Sequence, residues 1–186
     1  MSGDTPLWLD AFPHDFTVAH ERTLRGMSKI KERVYYPGAR RDGGHDGAWL
    51  RITASTGRTW TGVFASDLTA GRLSLIASWP EPSTLFVSVG GGPYLVDTRD
   101  PDTWSRIDRP TVRRYHPQPE LGVALLLDHD RLSAYDASGL AWESAHLGPA
   151  AEWLGQLDDE VHLRAGDALH KVSLRHGRTT TEPASW

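Results

Sequence analysis

Leu132-Ser133-Ala134-Tyr135-Asp136-Ala137-Ser138-Gly139-Leu140-Ala141-Trp142 is the stretch on which the architecture turns. It reads as a strand, a tight turn and a second strand ending in tryptophan. Tyr94-Leu95-Val96-Asp97-Thr98-Arg99-Asp100-Pro101-Asp102-Thr103-Trp104 has the same shape. So does Trp49-Leu50-Arg51-Ile52-Thr53-Ala54-Ser55-Thr56-Gly57-Arg58-Thr59-Trp60. The closing tryptophans lie 44 and 38 residues apart, and a blurred fourth copy without Trp runs from Leu169 to Thr179. A period near 40 residues is the size of one small antiparallel sheet, the unit of propellers and related arrays.

Working outward, short apolar runs alternate with turn clusters from Ala48 onward, and no helical period survives. Strands are predicted near 48–54, 58–65, 72–78, 84–89, 93–97, 122–127, 131–136, 140–144, 160–164 and 168–174. Hairpins are predicted to turn at Gly57, Gly91–Gly92, Asp128–Asp130, Gly139 and Gly166, where glycine supplies positive φ and aspartate accepts turn amides. Asp97 and Asp136 each close a strand where they can accept amides of the following turn. Gly148 to Leu154 reads as one helical turn. The tryptophans that close the three copies, Trp60, Trp104 and Trp142, are expected to be largely buried against their sheets.

Residues 1–47 have a different texture and read as an N-terminal extension to a β domain at 48–186. Residues 1–14 form an irregular lead that Trp8, Leu9 and Phe12 pin to the body. Leu24, Met27, Ile30 and Val34 are spaced as in a helix over about 18–34, against which Gly26 weighs. Phe16-Thr17-Val18-Ala19-His20 reads alternatively as a short strand. The expected fold is all-β, built of antiparallel propeller-blade-like modules. They would form a small or partial propeller or a two-layer sheet, preceded by the irregular or partly helical extension.

The pattern Ala134-x-Asp136-x-x-Gly139-x-x-Trp142 resembles the tryptophan-docking repeat of PQQ-type β-propellers, which runs Ala-x-Asp, a Thr-Gly turn, then Trp. Here both intervals are one residue shorter and the turn is Ser-Gly. The resemblance implies blade-like sheets. It brings neither the PQQ cofactor nor any functional residue.

With 186 residues and eight tryptophans the chain can bury a core without staples. It has no cysteine, so disulfides, thiolate zinc sites and cysteine nucleophiles are excluded. No apolar run is long enough for a membrane helix, and no secretory leader is recognisable at the N-terminus. A cytoplasmic protein is expected, and seventeen arginines against three lysines suit a GC-rich bacterial genome.

The net charge of −4 is uneven: residues 21–41 carry a local +5 and the remainder −9. Arg22, Arg25, Lys29, Lys31 and Arg33 in that stretch are the candidate partner-binding residues. Asp128-His129-Asp130 is the most metal-like cluster, yet an Asp-x-Asp hairpin turn needs no metal. No Gly-x-Ser-x-Gly elbow marks a nucleophile. The run Gly90-Gly91-Gly92 leads into a strand rather than the helix that phosphate binding requires. Negative overall charge argues against nucleic acid.

The reading that remains is a non-enzymatic protein-interaction module with another protein as partner and no cofactor or metal. An immunity or inhibitor protein against a toxin is a more specific form of it. A hydrolase with its site at Asp128–Asp130 is the alternative of a different class.

Overall fold

The computed structural model describes residues 7–21, 32–37, 47–65, 74–89, 93–107 and 112–184. The chain divides into two compact units, Met1–Pro110 and Thr111–Trp186. Texture changes at residue 48, whereas the compact units change at residue 111. The chain is all-β, and its sheets are blade-like antiparallel modules; the helical content of the described residues is one 3-10 turn at Pro119–Leu121.

The first unit holds β1 (Leu7–Leu9), β2 (Thr17–His20), β3 (Arg33–Tyr35), β4 (Gly47–Thr53), β5 (Thr59–Ala65), β6 (Ser74–Ser78), β7 (Thr84–Val89), β8 (Tyr94–Asp97) and β9 (Trp104–Arg106). They form two sheets, ordered β2-β4-β5-β3 and β1-β6-β7-β8-β9. The meander β6 to β9 is antiparallel throughout, and β1 adds to its edge in parallel. β3 likewise joins β5 in parallel. Leu50 and Ile52 of β4, Trp60 and Phe64 of β5, Leu85 and Val87 of β7 and Val96 of β8 pack into one core. Each is at an alternate position of its strand, as a period of two requires.

The second unit holds β10 (Arg114–Gln118), β11 (Val123–Leu127), β12 (Leu132–Asp136), β13 (Gly139–Glu143), β14 (Glu152–Leu157), β15 (Glu160–Ala165), β16 (Ala168–Ser173) and β17 (Thr179–Pro183). These are two four-stranded meanders, β10-β11-β12-β13 and β14-β15-β16-β17. Their core joins Leu125, Leu132 and Ala134 to Val161, Leu163 and Val172, with Leu147, Ala151 and Leu174 from the connections.

All ten strands predicted from alternation are present, to within a residue or two at their ends. The additional ones are short, polar or edge elements: Trp104-Ser105-Arg106 is exposed throughout, Arg114–Gln118 contains Pro117, and Thr179–Pro183 is almost entirely exposed. They carry little apolar alternation to read. Residues 7–9 are a strand rather than part of an irregular lead, and the amides of Ala11 and Phe12 bond the Ser78 hydroxyl. Residues 17–20 and 33–35 are strands; the middle of the helix expected over about 18–34 lies outside the described residues. In place of a helical turn at 148–154, Ala150 takes φ of 58° and β14 follows from Glu152.

Turns follow the expected chemistry at Gly57 (φ 83°), Gly139 (φ 127°) and Gly166 (φ 57°). Gly91–Gly92 lie outside the described residues. Asp97 Oδ1 accepts the Arg99 amide at 2.8 Å and Asp136 Oδ1 the Ser138 amide at 2.7 Å. Ser138, through its hydroxyl and its amide, holds the Asp136 carboxyl below its ordinary range.

The three tryptophans behave differently. Trp60 is fully buried, and its indole donates to the carbonyl of Thr98, the residue just after β8 of the other sheet, at 3.0 Å. Trp142 is half-buried and donates to the carbonyl of Leu174, just after β16, also at 3.0 Å. Each indole thus ties its own sheet to the turn after the third meander strand of the next. Trp104 departs from expectation and is 39% exposed. It sits on a three-residue edge strand and leans edge-on against Tyr36 and Tyr94, leaving one side open.

Close approach by Trp142 needs a residue without a side chain. A Cβ on Gly177 would lie 2.5 Å from the indole, and its φ of 66° is itself unfavourable for other residues. We expect Trp60→Ala to cost about 3–5 kcal/mol, Trp142→Ala less, and Trp104→Ala least, in urea unfolding. Gly177→Ala should cost more than about 1 kcal/mol. Equal losses at Trp60 and Trp104 would sink this assignment.

Candidate functional site

Alternation along β3 and β4 decides what the first sheet shows on the face away from its core. Val34 packs against the core, so Arg33 and Tyr35 take the opposite face. Leu50 and Ile52 are core, so Trp49 and Arg51 take that same opposite face. Register then aligns them: Arg33 lies across from Thr61 on β5, and Thr61 across from Arg51 on β4. Two residues along, Tyr35, Val63 and Trp49 form the next row.

The rings of Tyr35 and Trp49 meet edge to face at 6.5 Å, and the Arg33 guanidinium lies 5.8 Å from the Trp49 ring centre. Thr61 donates its hydroxyl to Glu21 at 3.2 Å, and the Glu21 amide bonds the Trp49 carbonyl. The Trp49 indole N–H is buried without an acceptor. Arg33 and Arg51 are exposed, and neither has a carboxylate partner among the described residues. The sequence marks Arg33 as one of a charged run; Arg22, Arg25, Lys29 and Lys31 lie outside the described residues. Trp49, Tyr35 and Arg51 were missed as neighbours because only pairing through β5 brings them beside Arg33.

The Asp128–Asp130 loop is a hairpin turn between β11 and β12. Asp128 is buried, and one of its oxygens accepts the amides of Asp130 and Arg131 at 2.9 and 2.7 Å. Asp130 pairs with His146 at 2.9 Å, and the backbone of 129–130 bonds that of Leu147 and Ala151. The cluster thereby fastens two loops of the second unit together. Among the described residues no group of three or more His, Asp or Glu side chains is placed to hold a metal ion.

A second polar group joins the first strands of the two meanders of this unit. Arg114, His116 and Gln118 alternate along β10. The Arg114 guanidinium lies 5.4 Å from the Trp153 ring centre, and the His116 ring centre 4.6 Å from it. The Gln118 and Gln156 side-chain amides bond each other at 2.7 and 3.3 Å. These residues are about 40 positions apart in sequence, and no local spacing announces them.

Among the described residues no helix is long and apolar enough to cross a membrane. No family model matches the chain, and no curated protein does. Solved structures similar to it include the N-terminal domain of Nup159, with a TM-score of 0.45 and 11% identity over 95% of this chain and 53% of that one. A chain of a S. cerevisiae complex containing Dbp5, Nup159 and Gle1 matches with a TM-score of 0.43 and 10% identity, over 96% of this chain and 52% of that one. The chain spans about half the length of these two.

Burial, and after it the Arg114 guanidinium, holds the His116 imidazole below its ordinary range, while Gln156 and Glu120 pull the other way. The unfolded chain therefore takes up this proton first as pH falls. The contribution of His116 to stability is complete above the unfolded pKa of about 6.5 and is lost as pH falls toward the lower folded value. We expect the urea midpoint to drop between pH 7 and pH 5, and to drop less in His116→Gln. Parallel profiles for the two proteins would refute the placement.

Proposed function

We propose that the chain is a non-enzymatic protein-interaction module of a bacterial cytoplasmic protein, binding another protein through the basic stretch. The observation that carries this reading is the position of Arg33. It stands exposed on a sheet face, beside two aromatic rings, with no carboxylate partner among the described residues. An arginine over an aromatic ring at a sheet surface is the composition that protein interfaces favour. Arg22, Arg25, Lys29 and Lys31 extend the same positive charge in sequence, so the partner surface they suit is acidic. The hydrolase alternative has no comparable support, since Asp128 is engaged in holding its own turn.

The test is to recover the partner from the native host with a tagged chain, then measure binding between the two purified proteins. Reversing Arg22, Arg25, Lys29 and Arg33 to Glu should weaken binding and flatten its dependence on salt, because exposed charges are screened over about 8–10 Å. The urea midpoint should barely move. Substrate turnover that disappears on His129→Ala would instead establish the hydrolase.

A further inference from the structure

We propose that the β6 edge of the β1-β6-β7-β8-β9 sheet is a strand-exchange site, filled within one chain by β1 and between two chains by the β1 segment of a second copy. This goes beyond the interaction reading and does not involve the basic stretch.

The argument starts from three comparable strands. β6, β10 and β14 each open a meander. β10 and β14 stand at the ends of their sheets, and both are built against pairing. β10 carries Arg114, His116 and Pro117, and β14 carries Glu152 and a register shift between Trp153 and Gly155. Charge, proline and bulges are the devices that keep a sheet edge from pairing with another chain. β6 reads Ser74-Leu75-Ile76-Ala77-Ser78 and has none of them. Leu75, Ile76 and Ala77 are at most 4% exposed, so this edge belongs to a strand made for a covered position.

Its cover is slight. β1 pairs over three residues, Leu7 with Leu75, Trp8 with Ile76 and Leu9 with Ala77, in the parallel arrangement that is the weaker per residue. Leu7 is 65% and Trp8 36% exposed. Just beyond, the Ala11 and Phe12 amides donate to the Ser78 hydroxyl oxygen at 2.9 and 2.8 Å. These contacts define what the edge accepts: an extended apolar segment followed by two free amides. The same residues in another copy meet that requirement without any change, which makes exchange of an identical element inexpensive. The connection also suits exchange. β1 belongs to one sheet and β2 to the other, and the exposed Pro13 and Asp15 lie between them. Redirecting residues 13–15 sends β1 to a neighbour's β6 while β2 keeps its place on β4.

The probe is a fluorescein-labelled peptide of residues 5–13, compared by anisotropy with a scrambled peptide of the same composition. Replacing Trp8 and Leu9 together by proline in the chain removes a ladder donor whichever of the two faces β6, and so opens the edge. The peptide should bind this variant at least about tenfold more tightly than wild type, where β1 leaves the edge open in only a small fraction of molecules. Leu7→Asp with Leu9→Asp should give the same gain without proline. Adding Ser78→Ala to the proline variant should weaken the peptide again. In sedimentation velocity, wild type held at high concentration should form a dimer that the proline variant does not form. Circular dichroism and the urea midpoint establish that each variant is folded. Equal peptide affinity for wild type and both opened variants would overturn the proposal. So would a dimer that persists in the proline variant, since it would use another surface. Peptide binding by a wild type that stays monomeric at every concentration would overturn the second copy as occupant, in favour of a segment from a different protein.

Discussion

Sheets packed face to face share no backbone ladder, so something other than strand pairing must fix how each one sits on the next. In this chain an indole does so in both units. Trp60 donates to the Thr98 carbonyl and Trp142 to the Leu174 carbonyl, each at 3.0 Å. The acceptor in both cases is the first residue beyond a meander strand, where the carbonyl has left the ladder and needs a donor. One side chain therefore supplies apolar area, satisfies a backbone group and sets the angle between two sheets. Area burial alone would tolerate sliding; a directional bond at the end of a large rigid ring does not.

The rest of the structure accommodates that contact. Gly177 sits where a side chain would displace the Trp142 ring. Gly62 plays a similar part on β5, where a Cβ would meet the Phe64 ring at 2.7 Å and Trp60 at 3.0 Å. Tyr36 lies flat on Phe64 at 4.4 Å and its hydroxyl donates a hydrogen bond to the Pro101 carbonyl, so the loop after β8 is tied down twice. Burial raises the Tyr36 phenol well above its ordinary range, and Asp102 and Asp100 add to the effect. The ring consequently stays a neutral donor across the physiological range. Around this, the exposed pairs Arg58 with Glu32 and Arg99 with Asp97 dress the turns and contribute little each.

The opposite side of the same strands carries the arginines. Because successive side chains alternate, placing Leu50 and Ile52 in the core commits Trp49 and Arg51 to the other face. The requirement that builds the hydrophobic layer thus also assembles the arginine and aromatic rows. In the second unit the same rule produces a different result. Arg114, His116 and Gln118 face Trp153 and Gln156 and bond among themselves, so that group joins two strands.

Much of this was legible in the amino acids. Alternation located the ten strongest strands, and Gly57, Asp97, Asp128, Asp136, Gly139 and Gly166 marked turns because positive φ and side-chain-to-amide bonds are local chemistry. Local information also identified tryptophan as the residue closing three hairpins. It did not distinguish Trp60, buried between two sheets, from Trp104 on an exposed edge strand. That difference depends on what lies across from each ring, and the two rings have similar neighbours in sequence. The short edge strands were equally silent, since a polar strand acquires its identity only from its partner's backbone. The basic stretch announced Arg33 by charge. Its company with Arg51 and Trp49 comes from the register of β3 and β4 on β5, which aligns residues 14 to 18 positions apart in ways no local pattern encodes. The sequence by itself therefore determined the ten apolar strands, most of their turns and the inward face of each of those strands, because those follow from neighbours along the chain. Tertiary structure alone decided which tryptophans dock and which side chains share a surface, because both depend on pairing between distant segments.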